Sequence, residues 1–289
     1  MPVQVKRISM LPSLLTLCNA GVGLLAISKA IDALAGDPLL FERRLESACW
    51  LIFLAMVFDA LDGKVARITD SFSDFGAQLD SFADALTFGV APALIAKVLM
   101  EHEGMLPPRL HFFAAASFSL MAILRLARFN LENDHSAEAH DEFRGLPSPA
   151  AAGTIVASIL MFLSLRGGIE IADGVTTPVG KGLAFLPPDF RASCAQVLLP
   201  GIMIMLPTLG LLMVGRTRYA HLGSRLLSGG GAFKSLVIFV FAAQLLYLAP
   251  VPVLFLTGLI YVGWGLVSRW WPSVDRRAAK ARKPHEHRA

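Results

Sequence analysis

Residues 48–100 read ACWLIFLAMVFDALDGKVARITDSFSDFGAQLDSFADALTFGVAPALIAKVLM, two apolar runs flanking a stretch that carries Asp59, Asp62, Asp80 and Asp84. Ser47 to Phe58 is 12 uncharged residues. At ~1.5 Å of helical rise per residue that run reaches ~18 Å into a hydrocarbon core about 30 Å thick, so Asp59 lies at membrane depth. Asp80 and Asp84 enter just before a second uncharged run, Ala85–Ala96. A lone carboxylate at such depth is costly unless a cation, a partner residue or a water-filled cavity receives it. The segment therefore predicts membrane helices that line a polar site near one surface.

The rest of the chain fits that frame. Of its 289 residues, 55% are hydrophobic and 17% charged, and the charges fall between long apolar blocks. This predicts an all-α, polytopic membrane helix bundle of about eight transmembrane helices: Leu11–Ile31, Ala48–Asp59, Phe75–Met100, Leu110–Leu126, Pro149–Leu165, Cys194–Val214, Phe233–Leu248 and Val251–Val267. With the N-terminus inside, the outer segments hold only Lys29, Arg43, Arg44, Lys97, Arg109, Arg166, Lys181 and Arg191 of the 26 lysines and arginines. That bias places both termini in the cytoplasm. Residues 1–269 read as a single membrane-embedded catalytic domain with its core at 8–220, and 270–289 as a basic cytoplasmic tail suited to an anionic lipid surface. No nucleic-acid partner is expected. The first apolar run is long and lacks a small-residue cleavage site, so it reads as a retained helix. Pro92 and Pro207 fall inside apolar runs and are expected to kink helices.

Asp59 and Asp62 are spaced i, i+3, and Asp80 and Asp84 i, i+4, so each pair shares one helix face. Two such faces bring four carboxylates together. Carboxylate oxygens are hard ligands suited to Mg2+ or Mn2+, and the absence of accompanying His or Cys argues against zinc. The seven histidines show no paired ligand spacing within a helix. Clustered aspartates around a divalent cation suit phosphoryl chemistry, in which the metal neutralises phosphate oxygens and a spare carboxylate accepts a proton. Gly63 and Gly76 would let backbone approach a phosphate or nucleotide, and Arg67 could pair with phosphate. A cation transporter is the rival from another class. It would spread acidic residues through the membrane depth, whereas these cluster near one surface beside Arg67.

The segment also resembles a known family. Its pattern D-x-x-D-G-x-x-A-R, eight residues, then G-x-x-x-D-x-x-x-D is met by Asp59, Asp62, Gly63, Ala66, Arg67, Gly76, Asp80 and Asp84. This is similar to the CDP-alcohol phosphatidyltransferases. The resemblance implies a metal centre built by Asp59, Asp62, Asp80 and Asp84. It implies a CDP site at Asp62, Gly63, Ala66, Arg67 and Gly76, and Asp84 as the general base. The stretches LPSLLTLCNAGVGLLAI, LDSFADALTFGVAPA, RLARFNL and GLPSPAAAG resemble the phosphatidylserine synthase branch. There the substrates are CDP-diacylglycerol and L-serine, and a homodimer is implied. Glycerol phosphate, inositol phosphate or choline are the alternative acceptors.

A zwitterionic acceptor needs a cation for its carboxylate, and Arg125, Arg128 and Arg144 all fall on the cytoplasmic side. At least one is expected to set serine affinity, with Asn130 serving the ammonium. Thr16 and Asn19 give the first helix a polar face that could meet CDP or the helix bundle, and packing is the favoured reading of the two. The expected localisation is the cell (inner) membrane, with the active site facing the cytoplasm.

Overall fold

The structure, a computed structural model, describes residues 10–69, 73–135, 145–167, 183, 185–215 and 243–270. Every regular element among them is a helix. α1 spans Met10–Ala35, α2 Phe41–Ile68, α3 Asp74–Asp84, α4 Ala91–His102, α5 Pro108–His135, α6 Ser148–Leu165, α7 Pro188–Val214 and α8 Pro250–Trp270. A π-helical stretch, Ala85–Val90, joins α3 to α4 end to end. Among the described residues, five segments are long and apolar enough to cross a bilayer: Leu11–Ala35, Phe75–His102, Pro108–Leu131, Ser148–Leu165 and Pro188–Val214. Pro250–Leu266 is a shorter apolar helix. The protein is therefore an all-helical membrane protein. Of the expected span Phe233–Leu248 only 243–248 is described, and it is helical; residues 168–182 and the tail from 271 lie outside the described residues.

Apolar blocks mark where lipid lies, not where helices end. α2 runs well past the block Ala48–Asp59 in both directions, because its flanking Glu, Arg, Asp and Lys residues are compatible with helix even though they leave the hydrocarbon. The motif residues Asp59 to Arg67 consequently sit on its last turns, in register with one another. α5 likewise continues past Leu126 and carries Arg125, Arg128 and Asn130 on one rigid element.

The third span is not a uniform helix. Pro92, at the second position of α4, has no N–H, and its ring crowds the carbonyl four residues earlier, that of Phe88 in the π stretch. The widened turn accommodates the proline and sets the rotation of the α3 aspartates relative to the face that α4 packs. Pro207 and Pro200 lie inside α7, which runs unbroken.

α6 is the central helix: 78% of its span is buried, against 28% for α1 and 33% for α5 and α7. Ala151, Ala152 and Ala157 on it are fully buried, and small residues of this kind let α2, α7 and α8 approach closely. Leu24, Leu25, Phe112, Phe113, Ile204 and Leu211 face outward, where lipid tails cover them.

α1 packs along α2 and across the π stretch. At Gly23 the contact is closest, since an added Cβ would stand 2.3 Å from Thr87 Oγ1 and 3.1 Å from Thr87 Cα. Thr87 Oγ1 donates to the Asn19 carbonyl at 3.3 Å, and Ser119 Oγ of α5 donates to the Gly89 carbonyl at 3.1 Å. The π stretch is thus clamped between α1 and α5. Gly23→Ala is expected to destabilise the protein by about 1–3 kcal/mol, the usual result of overpacking, seen as a lower melting temperature in detergent. Gly21→Ala is the control, because nothing lies within 4 Å of its added methyl group, and its melting temperature should not fall.

Candidate metal centre and active site

Asp59, Asp62 and Asp80 each present one carboxylate oxygen such that all three lie within 4.8 Å of one another. Asp84 adjoins them, in electrostatic range of Asp59, Asp80 and Asp62. Asp62 is buried and the other three are half-buried. Two helices, each presenting acidic residues one turn apart, therefore converge on one point.

Four carboxylates so close repel one another unless positive charge sits among them. Arg125 is within electrostatic range of Asp84, and against four carboxylates it leaves a negative excess. Oδ1 of Asp80 is buried with no hydrogen-bond partner among the described residues. An all-oxygen donor set with an orphaned carboxylate oxygen fits a hard divalent cation such as Mg2+ or Mn2+.

α1 supplies the site's polar wall. Thr16 Oγ1 donates to Asp62 Oδ2 at 3.0 Å, and Asn19 Nδ2 donates to Asp84 Oδ1 at 3.4 Å. Both side chains are buried. This corrects the expectation that they only pack. The signal was present as spacing: Thr16, Asn19 and Gly23 recur one turn apart along a single face of a mostly apolar helix.

The remaining candidates divide between open and engaged. Gly63 leaves room, since an added Cβ would meet only Arg67 Nη2 at 3.9 Å, and exposed Arg67 donates Nε to the Gly63 carbonyl at 3.1 Å. Ala66 is half-buried beside them. Gly76 has a structural duty: its N–H donates to Ser73 Oγ at 3.0 Å, capping α3, and an added Cβ would stand 3.0 Å from that oxygen. Arg125 donates Nη1 to Ser148 Oγ at 2.7 Å, while its buried Nε has no partner among the described residues. Arg128 Nη1 meets the Val214 carbonyl at 3.5 Å, tying α5 to α7. Asn130 hydrogen-bonds Ser81 through both ends of its amide, at 2.9 and 3.2 Å, tying α5 to α3. Arg144 lies outside the described residues.

Fold and site together define a polytopic membrane protein with an aspartate cluster suited to a divalent cation. Residues 9–180 match the CDP-alcohol phosphatidyltransferase family, and the chain belongs to it. Among relatives named CDP-diacylglycerol–serine O-phosphatidyltransferase, that of Helicobacter pylori (strain ATCC 700392 / 26695) is 40% identical over 114 residues, 39% of this chain and 46% of that one. The Methanocaldococcus jannaschii protein is 44% identical over 106 residues, 37% of this chain and 47% of its own. The Bacillus subtilis protein is 34% identical over 146 residues, 50% of this chain and 73% of its own. The chain spans about half the length of the first two and of the mycobacterial relatives, which are 32–34% identical.

Proposed function

We propose that the protein transfers the phosphatidyl group of CDP-diacylglycerol to L-serine, giving phosphatidylserine and CMP. The observation that carries this reading is the convergence of Asp59, Asp62 and Asp80 within 4.8 Å, beside Asp84. Family membership supports the reaction type, and the printed names of the relatives support serine as the acceptor.

In this reading Asp59, Asp62, Asp80 and Asp84 hold Mg2+ or Mn2+. The cation, when bound, neutralises the diphosphate oxygens and the charge that develops on the departing CMP. Asp62, Gly63, Ala66, Arg67 and Gly76 receive CDP, with the open flank of Gly63 admitting the diphosphate and exposed Arg67 free to turn towards it. Asp84 takes the proton of the serine hydroxyl. The hydroxyl oxygen forms the new bond to the phosphorus that bears diacylglycerol, and the bond from that phosphorus to CMP breaks. Arg125 receives the serine carboxylate, while Arg128 and Asn130 position the end of α5 through their contacts with α7 and α3.

The same reading puts the bundle in the cell (inner) membrane with eight spans, both termini and the active site on the cytoplasmic side, as the distribution of Lys and Arg supports. It treats residues 1–269 as one catalytic domain, 270–289 as a basic tail, and the functional unit as a homodimer.

Purified protein in detergent with Mn2+ and CDP-diacylglycerol is expected to release CMP only when L-serine is added, measured by chromatography of the nucleotide. Release with glycerol phosphate, inositol phosphate or choline in place of serine would keep the reaction and overturn the acceptor.

A further inference from the structure

Two buried polar atoms beside the aspartates lack a partner among the described residues: the side-chain oxygen of Asn19 and Nε of Arg125. Both belong to side chains that are otherwise held in place. Asn19 is fully buried, and its amide nitrogen donates to Asp84 Oδ1. With the nitrogen end turned to Asp84, the oxygen end of the amide is left over. Arg125 is anchored to Ser148 through Nη1 and lies in electrostatic range of Asp84. Asp84 is therefore flanked by an acceptor without a donor and by a cationic donor without an acceptor.

Unsatisfied groups of this kind are disfavoured in a protein interior, so the pair is matched to a ligand that supplies the missing halves. The ligand must carry a donor, an anionic acceptor and, towards Asp84, a hydroxyl. A hydroxy α-amino acid in its zwitterionic form has all three. We propose that Asn19 and Arg125 are the acceptor-selecting pair, with Asn19 Oδ1 accepting from the ammonium and Arg125 Nε donating to the carboxylate. The inference rests on the phosphatidyl-transfer reading above, and it moves the ammonium contact from Asn130, whose amide is engaged at both ends by Ser81, to α1.

The test compares L-serine with 3-hydroxypropionate, which lacks the ammonium, and ethanolamine, which lacks the carboxylate. It uses the full chain with Mn2+ and CDP-diacylglycerol; an analogue that is not turned over is read as a competitive inhibitor. Asn19→Leu is expected to shrink the preference for serine over 3-hydroxypropionate at least about tenfold, the scale set by leaving a polar group unpaired. Arg125→Gln should do the same for serine over ethanolamine. Each variant should leave the other ratio within about threefold. Calorimetric titration of L-serine into the Mn2+-loaded protein, without CDP-diacylglycerol, should show weaker binding by Asn19→Leu and partial recovery in Asn19→Gln. A uniform loss of activity with every acceptor, ratios unmoved, would mean that Asn19 and Arg125 only support the fold, and the proposal would be wrong. A wild type that ignores serine and uses another acceptor would instead remove the reading on which the proposal rests. The two failures are separated because the first appears only in the variants and the second already in the wild type.

Discussion

Asp84→Asn is expected to lower serine-dependent CMP release by about a thousandfold or more, within the range that positioned general bases contribute. The substitution conserves volume and keeps an oxygen to accept from Asn19 Nδ2, so the contact with α1 can survive. What it removes is the ability to take a proton and one negative charge. Asp84 is the motif aspartate outside the tight three-oxygen group, so in the proposed site it stands at the edge of the cation, where its carboxyl can also take the acceptor's proton, and Asp59, Asp62 and Asp80 supply most of the metal affinity. Manganese affinity, read from the electron paramagnetic resonance signal of free Mn2+, should accordingly fall far less than the rate. If rate and affinity collapse together, Asp84 serves the metal alone and the base lies elsewhere. A rate within tenfold of wild type would remove it from the chemistry altogether.

The motif was readable in advance because its information is local. Spacings of three and four residues fix a shared helix face whatever the tertiary fold, and uncharged runs on both sides fix membrane depth. The helical class and the shared face of each aspartate pair follow from those two facts, while the family rests on the resemblance of the eight motif positions from Asp59 to Asp84 to a known pattern. The contribution of α1 was not readable in the same way. Thr16 and Asn19 are two of several polar residues on a mostly apolar helix, and such residues often bond to their own backbone; Thr16 indeed also donates to the Pro12 carbonyl. The packing of α1 against α2, α3 and the π stretch, a tertiary fact, brings both within reach of the aspartates. The π stretch was hidden for a related reason. Pro92 announces a disturbed helix, but whether the ladder bends, breaks or widens depends on what Ser119 and Thr87 can offer to the backbone around it. Helix lengths were misjudged because hydropathy measures lipid contact, and α2 and α5 both continue into polar surroundings.

Asp80→Asn is expected to move two measurements in opposite directions. In chelator, without divalent cation, the native cluster holds Asp80 against Asp59 and Asp62 with one oxygen of Asp80 buried and unpaired. An amide of the same shape removes a like charge and can donate to either neighbour, so the variant should melt at a higher temperature than wild type, by the equivalent of about 1 kcal/mol or more. With Mn2+ the order should reverse. A ligand that binds only the folded state stabilises by about 2.7 kcal/mol at a hundred times its Kd. Loss of a charged ligand should weaken that affinity at least tenfold, ~1.4 kcal/mol, so that the wild type gains more from added metal than the variant does. Thermal melting in detergent, run with chelator and again across a Mn2+ series, reads both effects on the same sample. A variant that melts lower than wild type even in chelator would show that Asp80 is held by a partner within the protein, and the cluster would then be a structural network instead of a cation site. The crossing of the two melting orders is the signature of a site whose repulsion is tolerated in the empty protein because binding requires it.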